Sequence, residues 1–159
     1  MNRFEHSNTI RQLIIDRTPN NWIRSRPKFL GSADRIYWIP RFNQLNTILQ
    51  RCPIAHHDNR GELFDCDDYA MTFKSRLAFL TLREPQRTGS HPIAGGVFWG
   101  RASWSPDLLH AGNWFVTRED QLVWIEPQYN NRKFRNSPQP KPAIRPQADT
   151  VTHLQLMIF

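Results

Sequence analysis

Apolar residues recur along this chain with two different periods, and the change of period separates a helical first part from a strand-rich second part. In residues 8–17, Ile10, Leu13 and Ile14 recur at helical spacing, with Asn8 or Thr9 placed to cap the start. Pro19, Asn20 and Asn21 end that element. Arg35–Pro40 reads as a short extended piece. Phe42–Arg51 reads as a helix with Leu45, Ile48 and Leu49 on one side, stopped by Pro53. Residues 53–64 are polar and read as a loop. From Asp65 onward Ala70, Phe73, Leu77 and Leu80 recur at steps of three and four, which predicts a helix with one buried face. Asp65 can cap it, Asp67 and Asp68 suit the positive end of its dipole, and Pro85 stops it.

Beyond Pro85 the period shortens to that of strands. Ile93–Trp99 is strand-like but interrupted by Gly95 and Gly96. Leu108–Thr117 and Gln121–Glu126 are β-rich runs joined by Arg118-Glu119-Asp120, which predicts a hairpin. Val151–Phe159 reads as a final strand. The Trp and Phe residues between 98 and 124 sit at strand spacing and are expected in the core. Helices early and strands late predict an α+β fold, with the helix at Asp65 packed on an antiparallel sheet.

A chain of 159 residues is long enough for a buried core, and a single domain over 1–159 is expected. Residues 132–149, basic and rich in Pro, are expected to form a mobile loop within it. Charge is unevenly distributed: residues 1–51 carry a net +6, residues 52–131 a net −3 and residues 132–159 a net +4, within a total of +7. The basic flanks would attach a nucleic acid only nonspecifically, and a solvated basic surface is the simpler reading. No apolar run approaches bilayer length, and Met1–His6 lacks the features of a signal peptide, so a cytoplasmic protein without membrane partners is expected. In that setting Cys52 and Cys66 are expected as thiols.

Cys66 then draws attention. It falls at the first turn of the predicted buried helix, where backbone N–H groups and the dipole favour a thiolate and offer an oxyanion donor. His110 lies on the first hairpin strand and Glu126 at the end of the second. With the turn centred near residue 119, residues 110–113 lie across from 125–128, so His110 and Glu126 become neighbours. A carboxylate that orients an imidazole, which in turn faces a thiol, is the pattern of nucleophilic catalysis. Asp65, Asp67 and Asp68 place three carboxylates within one turn, a repulsive arrangement that a divalent cation with oxygen ligands, calcium or manganese, would relieve. A zinc site from Cys52, His56, His57 and Cys66 fits no ordinary spacing, and Gly95-Gly96 with Gly100 matches no nucleotide-binding pattern.

Three blocks of the sequence also resemble a known family. Asp65-Cys66-Asp67-Asp68-Tyr69-Ala70, His110-Ala111-Gly112-Asn113-Trp114-Phe115 and Val123-Trp124-Ile125-Glu126-Pro127-Gln128 resemble the agglutinin C-terminal protease-like family, found in a fungal mushroom agglutinin and in bacterial and phage proteins. The resemblance, over about residues 62–129, implies a papain/transglutaminase-like fold and a Cys–His–Glu triad carried by Cys66, His110 and Glu126. It also implies divalent-cation dependence, which puts Asp67, Asp68 and Glu126 forward as metal ligands. Papain-like enzymes take a second oxyanion donor from a Gln before the cysteine. Here Arg60 stands six residues before Cys66, and Asn59, Arg60, Asn113 and Gln128 are the candidates for oxyanion or supporting roles. With no lectin domain ahead of this region, sugar binding is not expected to carry over. The function expected is therefore cysteine-dependent hydrolysis of a peptide or isopeptide bond in a protein or peptide substrate. The alternatives are a catalytically silent binding module, which uses its basic flanks to hold a protein or nucleic acid, and a transamidase.

Overall fold

The three helices expected from periodicity are all present. The computed structural model describes residues 3–17, 29–52, 65–83, 91–103, 105–127, 143–144 and 151–158. Helix α1 spans Ser7–Arg17 and buries Ile10 and Ile14, with Leu13 packed beside them. Helix α2 spans Phe42–Gln50 and buries Leu45, Ile48 and Leu49; the Arg41 N–H donates to Gln44 Oε1 at its start. Helix α3 spans Cys66–Leu82 and buries Tyr69, Ala70, Phe73 and Leu77. Asp65 caps α3 reciprocally: Asp67 N–H donates to its carboxylate at 3.3 Å, and its own N–H donates to Asp68 Oδ2 at 3.3 Å. Two of the four orphan donors of a helix start are satisfied in this way.

Eight strands appear among the described residues: β1 (Arg3–His6), β2 (Phe29–Gly31), β3 (Ile36–Ile39), β4 (Gly95–Ala102), β5 (Ser105–Val116), β6 (Leu122–Glu126), β7 (Ala143–Ile144) and β8 (Val151–Ile158). Strands β1 and β3 form an antiparallel ribbon. The other six form one sheet in the order β2-β8-β4-β5-β6-β7, antiparallel except where β2 runs parallel to β8. The β5–β6 register pairs Asn113 with Ile125 and Trp114 with Trp124, which centres the hairpin on residue 119, where the sequence places it. Asp120 closes the turn at φ 55°, a conformation that Asp tolerates better than most residues.

Side chains alternate along β5 and divide the core between two faces of the sheet. Trp114 and Val116 pack with Phe98, Trp124, Tyr37, Ile10 and Ile14 on the α1 side. Phe115 packs with Val123, Ile125, Phe73, Leu77 and the apolar stripe of α2 on the other. Of the Trp and Phe residues expected in the core, Phe98, Trp114, Phe115 and Trp124 are buried, Trp99 is half-buried, and Trp104 lies outside the described residues. Gly95 does not interrupt its strand. The Phe115 ring lies directly over it, and a Cβ there would sit 2.2 Å from that ring, so only glycine permits this packing.

Three elements differ from expectation. Strands β1, β2 and β7 span four, three and two residues, too short for any period to be read. Strand β7 lies inside the segment 132–149 expected to be a mobile loop, yet it pairs Ile144 with Ile125 and Ala143 with Glu126. Hydrogen bonds to the edge of β6 order those two residues, whatever their neighbours' composition. The rest of that segment and the loop 53–64 lie outside the described residues. The architecture is α+β, with α3 packed on a mostly antiparallel sheet as expected. Among the described residues no helix is long and apolar enough to cross a membrane.

Candidate functional site

Three elements meet at the start of α3. Cys66 is the first residue of the helix. His110 lies on β5 opposite Gly100 of β4, and Glu126 ends β6. The pairing of Asn113 with Ile125, continued outward, puts Glu126 one diagonal step from His110, and His110 Nε2 lies 2.6 Å from Glu126 Oε2. Both are buried, at 9% and 8% exposure. Cys66 also hydrogen-bonds the His110 imidazole, and the Ala111 N–H donates to its sulfur at 3.4 Å. The structure thus brings together Cys66, His110 and Glu126, three residues that lie far apart in sequence.

Electrostatics sets the character of this cluster. Burial works against a charged His110. The hydrogen bonds and charges of Cys66 and Glu126 outweigh it and raise the imidazole to about 9. At neutral pH His110 is therefore an imidazolium, a donor at both nitrogens. The Asp67 carboxyl is raised, first by its hydrogen bond with the Asp65 side chain, then by burial and by the charge of Asp65.

The acidic residues are not gathered as expected. Asp65, Cys66 and Asp67 offer ligand atoms within 4.8 Å of one another. Asp68 instead accepts from the Asp65 N–H, and Glu126 is bonded to His110. Calcium takes six to eight oxygen ligands, and two carboxylates beside a thiol do not fit that cage. Asn113 is fully buried and gives its amide protons to Ala70 O at 3.0 Å and Gly96 O at 3.1 Å. It thereby ties α3 to β4 and has no amide proton left for a ligand. Asn59, Arg60 and Gln128 lie outside the described residues.

A family model described as Agglutinin C-terminal matches residues 37–132, more than half of the chain. The chain belongs to the agglutinin C-terminal family. Two solved structures resemble this agglutinin C-terminal domain. One, a PSL1a–E64 complex, is 25% identical with a TM-score of 0.60, the match covering 79% of this chain and 44% of that one. The other is Polyporus squamosus lectin bound to the human-type influenza-binding epitope Neu5Aca2-6Galb1-4GlcNAc, 24% identical with a TM-score of 0.59, covering 79% and 43%. The agglutinin C-terminal chain thus spans less than half the length of either protein. None of the curated proteins compared with it matches.

These matches overturn the cysteine-peptidase expectation. An agglutinin family and a glycan-bound lectin stand where a hydrolase or transamidase and a peptide substrate were expected.

One residue of evident chemical interest went unread in the sequence. Lys74 lies two turns beyond Cys66 on the same side of α3 and is half-buried, its ammonium donating to the Gly95 carbonyl. A lysine bordering the stripe of Ala70, Phe73 and Leu77 was the signal available.

Proposed function

We propose that this chain is a carbohydrate-binding domain of the agglutinin C-terminal family, with the cluster at the start of α3 as its polar centre. The observation that carries this is the family match over residues 37–132, with the likeness to a glycan-bound lectin in support. A cysteine on a helix, a histidine on a strand and an acid on the next strand also support the finer papain/transglutaminase-like architecture, here as a scaffold for binding. Asp65, Cys66 and Asp67 are each half-buried and form the rim, with His110 and Glu126 behind them. Closely set carboxylates accept hydrogen bonds from the vicinal hydroxyls of a sugar. His110 and Glu126 anchor the Cys66 end of the helix beneath them.

Binding of immobilised Neu5Aca2-6Galb1-4GlcNAc and of the neutral Galb1-4GlcNAc, read by surface plasmon resonance, tests this. Binding of one or both is expected, with Asp67→Ala weakening it about tenfold, the loss of one charge-assisted hydrogen bond. Failure of the wild-type chain to bind either glycan would sink the reading. So would cleavage of a peptide by the wild-type chain that Cys66→Ala abolishes.

A further inference from the structure

A cavity of about 500 Å³ lies on the Lys74 side of α3, bounded by the residues after β2, by Pro92 and Ile93 ahead of β4, and by the end of β8. Its walls are mainly aliphatic, drawn from Met71, Ile93, Val97 and Ile158, with Ser32, Asp34 and Lys74 the polar residues among them. The volume falls in the range of small-molecule sites, roughly 300–1,000 Å³.

Lys74 is poorly provided for in this setting. An ammonium has three N–H donors, and the Gly95 carbonyl takes one. Burial lowers its proton affinity to about 8, and the charge of Asp34, which lines the same cavity, opposes this only in part, so the ammonium is incompletely compensated. A cation in an apolar wall is costly unless an anion joins it. The other surroundings narrow the ligand further. Aliphatic walls suit a hydrocarbon body and do not suit a sugar, whose hydroxyls would lose water without gaining partners. The cavity therefore does not duplicate the rim at Asp65 and Asp67.

We propose that this cavity binds an amphipathic carboxylate, with its apolar body against Met71, Val97 and Ile158 and its carboxylate on the Lys74 ammonium. A charge-assisted hydrogen bond formed in a site screened from water is stronger than the same contact in solvent.

Isothermal titration calorimetry of the full chain with decanoate and with decanol, both below their aggregation limits, tests the proposal. Decanoate is expected to bind at least tenfold more tightly than decanol. Lys74→Met keeps the length and apolar stem of the side chain, so it should weaken decanoate at least tenfold and leave decanol within about twofold. Ala78 lines the cavity and is exposed on α3, so Ala78→Trp fills the space without disturbing the core and should abolish binding of both. Thermal melts of the two variants within a few degrees of wild type establish that they fold. Equal affinity for decanoate and decanol overturns the proposal, as does Lys74→Met with wild-type decanoate binding or Ala78→Trp with binding intact. Glycan binding should be unchanged in both variants, so failure here is distinguishable from failure of the carbohydrate reading.

Discussion

His110 and Lys74 are two basic side chains held against the same helix, and the fold moves their proton affinities in opposite directions. Burial weakens the charged form of each. At the start of α3 the hairpin supplies Glu126 at 2.6 Å and the helix supplies Cys66, and His110 rises to about 9. Two turns on, Lys74 has a backbone carbonyl and the charge of Asp34, and it falls to about 8. The degree of burial does not decide the outcome; the partner does. A buried base with an adjacent carboxylate is a finished polar centre, whereas a buried base beside a carbonyl is a site awaiting an anion.

The comparison breaks most severely if the support common to both groups is removed. Phe73 is fully buried on α3 between the two and meets Phe115 edge to face at 6.3 Å. Phe73→Ala should cost about 3–5 kcal/mol in stability, measured by chemical denaturation, and should loosen both sites at once. Loss from only one of the two sites would show that the ends of α3 are held independently.

The pH dependence of stability sharpens the comparison. Folded His110 titrates near 9 against 6.5 for an ordinary histidine, so between those values the folded state holds the extra proton. Its stabilisation is complete below about 6.5 and is lost as pH rises through 9. Folded Lys74 titrates near 8 against 10.5, so there the unfolded chain holds the extra proton and stability recovers with rising pH. Denaturation from pH 6 to pH 11 should therefore pass through a shallow minimum, with neither limb steeper than about 1.4 kcal/mol per pH unit for one proton. Glu126→Gln should flatten the falling limb and Lys74→Met the rising one. A profile unchanged in Glu126→Gln would separate His110 from Glu126 energetically.

The smallest effect concerns the cap that fixes where α3 starts. Asp65→Ala should cost about 1 kcal/mol, and Asp65→Asn much less, because the amide oxygen still accepts from Asp67 N–H. Thermal melts of the two variants measure the difference. If the start of α3 frays in Asp65→Ala, the 13C shift titration of His110 should also move, since Cys66 is the next residue. That of Lys74 should stay.

By itself the sequence determined what depends on neighbours along the chain. The buried stripes of α1, α2 and α3, the cap at Asp65 and the hairpin between β5 and β6 follow from spacing. The nearness of His110 to Glu126 follows too, because residues equidistant from a turn meet across it. Tertiary structure decided the rest. Strands β1, β2 and β7 exist because another strand offers them hydrogen bonds, and two to four residues carry no readable period. Asp68 and Glu126 were put forward as metal ligands by the family resemblance; in the fold Asp68 accepts from the Asp65 N–H and Glu126 bonds an imidazole. His110 was legible as a candidate base, but its protonation was not. The energy of a proton on a buried group depends on the charges and dipoles packed around it, which reach His110 from three separate elements and leave Lys74 facing a cavity.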